Sequence, residues 1–291
     1  MARTVEREAM RRLRHHNSEA SSAAMVAGRT VVVLAVLATL AVVGSACATS
    51  ADSGPETGHS ANGRELTGQI TVSAAASLTE AFTRIRDDFV KANPAVKVVI
   101  NFGSSGQLAA QIQAGAPVDV AAFADTDPMD AIEVAGLVSG TSKTFARNKL
   151  VIVTKPGNPQ KISKLADLAD VGVVSLCNDN APCGKFADQI LDDAGVSVPT
   201  TRITRAQDAK ATLTAVSEGD AIAGIVYATD ASTAGGKVVT VPIPDADNVM
   251  AEYTVAKIAD SANTRLAAAF VDYVLGAKGQ AVLKEFGFMA P

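Results

Sequence analysis

The sequence predicts an α/β fold for residues 65–291, on two observations. Short runs of β-branched and apolar residues alternate there with longer segments whose apolar residues recur at helical spacing. Two of the strand-to-helix transitions, "ITVSAAASLTEAF" and "VKVVINFGSSGQLAAQI", pass through small residues and place Ser77 and Ser105 at or beside a helix N-terminus. Strands and helices that alternate in this way indicate sheets covered by helices, which defines the α/β class.

Eight short runs predict the strands of this fold. Each contains β-branched or aromatic residues, which favour a pleated backbone. The runs are residues 70–74, 96–102, 118–123, 150–154, 172–175, 222–226, 238–241 and 252–256.

Seven segments between and after these runs predict helices. Their apolar residues recur at three- and four-residue spacing among good helix formers. The segments are residues 79–92, 106–114, 128–135, 184–194, 208–217, 263–275 and 277–286.

Ser77 and Ser105 are the first candidates for a binding site. A helix N-terminus offers unpaired N–H groups and the positive end of the helix dipole. Together with a serine hydroxyl, these groups bind an anion without a full positive charge. If the two strands are parallel neighbours, both helices begin at the carboxyl edge of one sheet, where α/β folds bind ligands. The alternative is that each serine is an ordinary helix cap.

The N-terminal segment indicates export from the cytoplasm. Residues 30–46, "TVVVLAVLATLAVVGSA", are apolar and uncharged, follow Arg29 and end in small residues. This pattern predicts a signal peptide over residues 1–46 rather than a permanent membrane span. Met25 is an alternative start, because it leaves a short basic leader before the apolar stretch.

The end of this segment predicts a lipid anchor. The letters "GSAC" resemble a bacterial lipoprotein box, although Gly44 stands where Leu is usual. We therefore expect lipidation of Cys47 and attachment to the outer face of the cell membrane, with simple secretion as the alternative. Residues 47–64 are polar and rich in Gly and Ser, which predicts a flexible tether.

Charge and histidine content exclude several classes of function. Removal of residues 1–46, with six Arg and three Glu, leaves 20 Lys+Arg against 27 Asp+Glu, a net charge of −7. A nucleic-acid partner is therefore not expected. His15 and His16 lie in the signal segment and His59 lies in the tether. Without histidine in the folded part, neither histidine-based catalysis nor a histidine-ligated metal site is expected.

Two cysteines remain in the folded part, within "LCNDNAPCG". Cys177 and Cys183 are close in sequence, and an exported chain reaches a compartment where disulfides persist. We expect a disulfide between them. Two free buried thiols, or a redox pair, are the alternatives.

Several motifs together resemble the molybdate-binding proteins of bacterial ABC importers. They are "ITVSAAASLTEAF", "NFGSSGQLAAQIQAGAPVDVAAFAD", "GIVYATDA" and "KEFGF", in this order and without gaps inside a motif. The resemblance implies a type II periplasmic-binding-protein fold, in which two α/β lobes enclose the oxyanion. It implies that residues 65–147 and 253–291 form lobe one and residues 148–252 form lobe two, with crossings near Asn148 and Glu252.

The resemblance also implies a set of ligand residues. In lobe one the motifs place hydroxyl and backbone donors on Ser77 and Ser105. In lobe two they place backbone N–H donors on Cys183, where the family has a small residue, and on Ala209, and a phenol donor on Tyr227. Taken singly, Ala209 is an ordinary helix residue and Tyr227 an ordinary core aromatic.

The function implied by the resemblance is a substrate-binding lipoprotein, not an enzyme. It captures molybdate, and tungstate as well, delivers the anion to an ABC permease, and is expected to be a monomer without cofactor or directly ligated metal. One alternative keeps the fold and binds sulfate, phosphate or an organic anion. Another is a hydrolase that uses Ser77 or Ser105 as nucleophile, although no general base is evident.

Overall fold

The computed structural model of the protein describes residues 65–291. The predicted signal peptide (1–46), the lipidation site Cys47 and the tether (47–64) lie outside the described residues.

Within residues 65–291, nine strands and eight α-helices follow one another along the chain. The strands are β1 (Gly68–Ala75), β2 (Val96–Gly103), β3 (Val120–Phe123), β4 (Val138–Thr154), β5 (Val174–Cys177), β6 (Ile203–Ala206), β7 (Ala223–Tyr227), β8 (Val239–Pro242) and β9 (Met250–Ile258). The helices are α1 (Thr79–Ala92), α2 (Ser105–Gln113), α3 (Thr126–Val134), α4 (Pro182–Asp193), α5 (Ala209–Ser217), α6 (Ala228–Ser232), α7 (Thr264–Leu275) and α8 (Ala277–Glu285).

The strands form one mixed sheet in the order β2-β1-β3-β9-β4-β7-β5-β6, and β8 lies beside β4. β1 is parallel to both of its neighbours, β2 and β3, and β5 is parallel to β6 and β7. The central strands β9 and β4 are antiparallel to their neighbours. The sheet therefore contains two parallel groups of strands, separated by an antiparallel centre.

The two parallel groups define two halves of the described chain. The first half contains β1, β2, β3 and β9 with helices α1, α2, α3, α7 and α8. The second half contains β5 to β8 with helices α4, α5 and α6. The chain crosses between them within β4, which pairs with β9 up to Lys149 and with β7 from Leu150. Whether the implied boundaries at 147/148 and 252/253 delimit two moving lobes stays a prediction.

The main hydrophobic core runs through both halves and the centre of the sheet. The amphipathic helix α1 buries Phe82, whose ring lies 5.7 Å from that of Phe145 and 6.4 Å from that of Phe270. Phe145 in turn contacts Tyr253 of β9, with ring centroids 6.2 Å apart. The ring of Tyr253 lies 5.8 Å from that of Tyr227. Aromatic packing thus fixes Tyr253 and Tyr227 at the point where the halves meet.

Several of the parallel strands that lead into helices end at this meeting point or beside it. The turn after β1, the turn after β2 and the end of β7 all contribute to one buried cavity, as do the starts of α4 and α5. This arrangement follows from the parallel pairing, because parallel strands present their carboxyl ends at one edge.

The α/β fold class predicted from the sequence is confirmed, and helix α1 has the predicted bounds. One strand was predicted only in part, and another was missed. β4 begins at Val138 instead of residue 150, because Gly140 and the polar residues after it hide the strand pattern. β6 was missed, since this short strand at the end of the sheet carries Thr204 and Arg205 and leaves no residue fully buried.

Two findings concern membranes and metals. Within residues 65–291, no single helix combines the length and the apolar composition that spanning a bilayer requires; α7 and α8 meet that test only as a pair, bent by 55°. In the same residues, no group of three His, Cys, Asp or Glu side chains is placed to hold a metal ion.

Candidate anion-binding site

The five residues that the resemblance implied as ligands line one buried cavity between the halves. Ser77 and Ser105 come from the first half, and Cys183, Ala209 and Tyr227 come from the second. Each is at most 4% exposed. The centre of a water-sized sphere can occupy about 10 Å³ of this cavity, so the cavity is small. The structure brings all five together; that they bind an anion stays a prediction.

Ser77 lies in the short 3₁₀ turn that joins β1 to α1. Its hydroxyl is 2.8 Å from the phenol oxygen of Tyr253. That phenol oxygen also accepts a hydrogen bond of 3.3 Å from the side-chain amide of Asn148. Tyr253 accepts from Asn148 through one lone pair and can donate its own proton to Ser77. The Ser77 proton is then free to point into the cavity.

Ser105 is the first residue of α2, and its hydroxyl is also held by a hydrogen bond to a neighbouring element. Its hydroxyl oxygen accepts a hydrogen bond of 3.1 Å from the backbone N–H of Ala124, which follows β3. A hydroxyl that accepts one hydrogen bond from the protein keeps its proton for another partner. Both serines therefore offer an O–H donor to the cavity, held by contacts to neighbouring elements.

Cys183 lies in the first turn of α4, directly after Pro182 at the first helical position. Its side chain forms a disulfide with Cys177 at the end of β5, with an S–S distance of 2.07 Å. The predicted pairing is thus present in the structure. The bond ties the first turn of α4 to the sheet, because Cys177 is fully buried in β5.

Ala209 is the first residue of α5, where a backbone N–H has no partner within its own helix. The preceding Asp208 caps the helix by accepting a hydrogen bond of 2.9 Å from the N–H of Ala211. The cap therefore satisfies the donor two residues further on and leaves the Ala209 N–H for the cavity.

Tyr227 ends β7 and is 1% exposed. Among residues 65–291, its hydroxyl has no hydrogen-bond partner. Burial holds the pKa of this phenol well above its usual value, and the neighbouring Tyr253 and two carboxylates raise it further. Tyr227 therefore stays neutral and keeps a proton to donate. A buried hydroxyl without a partner costs free energy unless a ligand supplies an acceptor.

Ser104 was missed in the sequence. It lines the same cavity, is 4% exposed, and its hydroxyl has no hydrogen-bond partner in the described part of the chain. It occupies the N-cap position of α2 with an extended backbone, yet its side chain does not cap the helix. The doubled serine of "FGSSG" was the available signal, but only one of the two was singled out.

The positive potential in this cavity comes from N–H and O–H dipoles, because no cationic side chain of residues 65–291 lines it. Asp208 is the only charged residue among those that line it, and its carboxylate is engaged by Ala211. The nearby carboxyl of Asp230 is fully buried; burial raises its pKa to about 6, against the attraction of Lys210. The first turns of α2, α4 and α5 line it instead, and the N–H groups at a helix start have no partner within their own helix. Such a set of donors suits an acceptor-only anion.

Comparison with known proteins gives consistent matches over the described residues. The family model for bacterial extracellular solute-binding proteins matches residues 70–289. The molybdate-binding protein ModA of Mycobacterium tuberculosis (strain H37Rv) is 38% identical over 258 residues, covering 88% of this chain and 95% of that protein. The molybdate-binding protein ModA of Escherichia coli (strain K12) is 33% identical over 230 residues, covering 76% and 89%.

One solved structure extends the comparison to the fold. The periplasmic molybdate-binding protein of Azotobacter vinelandii is similar with a TM-score of 0.70 at 25% identity, covering 76% of this chain and 99% of that one. This similarity confirms the periplasmic-binding-protein fold that the motifs implied.

Proposed function

This chain belongs to the family of bacterial extracellular solute-binding proteins, and we propose that it captures molybdate between its halves for delivery to an ABC permease. The observation that carries the proposal is the convergence of hydroxyl and N–H donors from both halves on one buried cavity. The relatives named molybdate-binding protein support the choice of anion. Proteins of this family are non-enzymatic components of transport systems, which excludes the hydrolase alternative.

The chemistry of the cavity suits a fully ionised tetrahedral oxyanion. Molybdate has no proton to give at neutral pH, so it only accepts hydrogen bonds. A hydrogen bond to a charged group contributes about 1.5–3 kcal/mol, and at about 2 kcal/mol each, about five to seven of them give roughly 10–15 kcal/mol before costs. After the costs of closure and ordering, we expect a net binding free energy of about −8 to −11 kcal/mol, or roughly micromolar to ten-nanomolar affinity.

Binding requires the halves to move apart. The five candidate ligand residues are each at most 4% exposed, so an anion has no open path to them while the halves are closed. We propose that the halves open about the crossings near Asn148 and Glu252, where β4 and β9 pair and Arg147 Nε donates to Glu252 Oε1 at 3.1 Å. Such hinge closure around a ligand is a common mode of motion in binding proteins.

Selection among tetrahedral dianions is then a matter of size. Molybdate, tungstate and sulfate share charge and shape, but the metal–oxygen bonds are longer than the sulfur–oxygen bonds. We propose that tungstate binds as molybdate does and that sulfate is held less well, because donors fixed for the larger anion lie too far from its oxygens.

We also propose that the protein acts as a monomer, anchored to the outer face of the membrane by lipid on Cys47. The "GSAC" sequence before the polar tether supports this anchor. Cys47→Ala should abolish incorporation of a fatty-acid label in cells and release the protein from the membrane fraction. A parent protein without fatty acid, recovered in the soluble fraction, would contradict the anchor.

The function itself is tested by calorimetric titration of the purified protein with four anions. Molybdate and tungstate should bind with dissociation constants between about ten nanomolar and one micromolar. Sulfate and phosphate should bind at least about 100-fold more weakly. Tighter binding of sulfate or phosphate would favour the alternative of another oxyanion on the same fold.

Removal of the hydroxyl donors should weaken molybdate binding without unfolding the protein. Ser77→Ala, Ser104→Ala and Ser105→Ala are each expected to cost about 1–3 kcal/mol of binding free energy, measured by the same titration. Ser175→Ala is the matched control, because this serine is equally buried in β5 but does not line the cavity. Unchanged affinity in all three variants would remove the serines from the site.

Ala209→Pro tests the backbone donor directly. Proline is tolerated at the first helical position, and the extended backbone of Asp208 suits a residue before proline. The variant should keep helix α5 but lose the N–H, so molybdate affinity should fall at least about tenfold. Ala277→Pro is the control, because it makes the same change at the exposed start of α8. Equal affinities in the two proline variants would refute the role of Ala209.

A further inference from the structure

Two lysines of the second half, each close in sequence to a residue that lines the cavity, form ion pairs with acidic residues of the first half. Lys210 follows Ala209 at the start of α5, and Lys185 lies two residues after Cys183 in α4. Each lysine therefore sits in the first turns of a helix whose start lines the cavity. Nothing in the motifs of the sequence pointed to either lysine.

Lys210 links three helices. Its ammonium nitrogen lies 2.8 Å from Glu80 Oε1 and 3.1 Å from Asp230 Oδ1. Asp230 belongs to α6 in the same half, whereas Glu80 belongs to the first turn of α1 in the opposite half. Burial lowers the pKa of Lys210, but attraction to Asp230 and the bond to Glu80 outweigh it and raise the pKa overall. Lys210 is therefore fixed in its own half by one acid and joined to the other half by a second.

Lys185 makes the corresponding link on the other side of the cavity. Its ammonium donates to Asp125 Oδ2 at 2.9 Å and also to Asp127. Both acids lie at the start of α3 in the first half, and the side chain of Asp125 is only 8% exposed. We call Lys210–Glu80 and Lys185–Asp125/Asp127 the cross-cavity ion pairs.

We propose that Lys185 and Lys210 are positioning residues, whose cross-cavity ion pairs hold the donor-bearing helices α4 and α5 closed over the anion. The proposal rests on the proposed function. The lysines do not touch the anion; they act through the N–H groups of Cys183 and Ala209, which their helices carry. Each lysine faces two carboxylates, so its charge joins the halves and is not directed at the anion.

The close approach of the backbones between these pairs supports this role. A Cβ atom added at Gly106, in the first turn of α2, would overlap the carbonyl oxygen of Asn180 in the turn before α4. Gln207 Nε2 also donates across the halves to Gln107 Oε1 at 3.2 Å. The ion pairs therefore bracket a tight contact that exists only while the halves are closed. Opening of the cavity must break them, so they contribute to the barrier to release.

The test removes one cross-cavity carboxylate from each lysine and leaves both lysines in place. Glu80→Gln leaves Lys210 paired only with Asp230 of its own half, and Asp127→Asn leaves Lys185 with Asp125 as its single cross-cavity partner. Bound radioactive molybdate is chased with an excess of unlabelled molybdate, and its release is followed. Each variant should dissociate about 2- to 5-fold faster, and the double variant faster by about the product of the two factors. Rates of association should change little.

The matched control is the double variant Glu218→Gln with Asp88→Asn. It makes the same change in net charge by removing the partners of Lys237 and Arg84, two ion pairs that lie within one half each. The control should release molybdate within about 1.5-fold of the parent rate. Equal release from the two double variants would overturn the proposal, whatever their affinities.

A second measurement separates this proposal from the proposed function. If the parent binds no molybdate, the proposed function fails, and the ligand-free proteins are compared by small-angle X-ray scattering. Cross-cavity ion pairs that favour closure predict a larger radius of gyration for Glu80→Gln/Asp127→Asn than for the control. Equal radii in that case would overturn the proposal as well.

Discussion

A dianion that leaves water must regain its hydrogen bonds from the protein, and this requirement organises the site. The acceptor oxygens need donors on every side, so no single helix end or loop can supply them. The parallel groups of strands on either side of β4 and β9 supply donors from two sides, because the strands of each group have their carboxyl ends near the same cavity. Helix starts from both halves then converge on one point.

The absence of cationic residues from the cavity lining has a physical advantage. A lysine or arginine in direct contact would attract any anion, including carboxylates. Fixed N–H and O–H dipoles bind well only an acceptor of the right shape and size. The chain has an excess of acidic residues overall, so its net charge does not attract anions either. Selectivity must come from the geometry of the donors. The positive charges stand outside, on Lys185 and Lys210, where they join the halves.

The sequence pattern predicted most of the strands and helices, and the motifs implied five residues that the structure brings together at the cavity. The strand-to-helix transitions at Ser77 and Ser105 could be identified because serine, small residues and helical spacing coincide there. Cys183, Ala209 and Tyr227 carried no such local signal, and only the order of several motifs implied them. Ser104 was missed because only Ser105 was singled out from the doubled serine, and only the structure shows that the Ser104 side chain does not cap its helix. The cross-cavity ion pairs join residues far apart in the chain, such as Glu80 and Lys210, so no spacing could reveal them. In the same way, β6 depends on pairing with β5 rather than on its own composition.

The central claim is that uncharged donors from both halves enclose the anion, and diffraction from a crystal grown with molybdate tests it most directly. The anomalous signal of molybdenum locates the ion independently of any assumption about the site. The account predicts one peak within the cavity, with oxygens at hydrogen-bond distance, about 2.7–3.2 Å, from the N–H of Ala209 and the hydroxyl of Ser105. A peak outside the cavity, or an ion bound to the donors of one half alone, would contradict it.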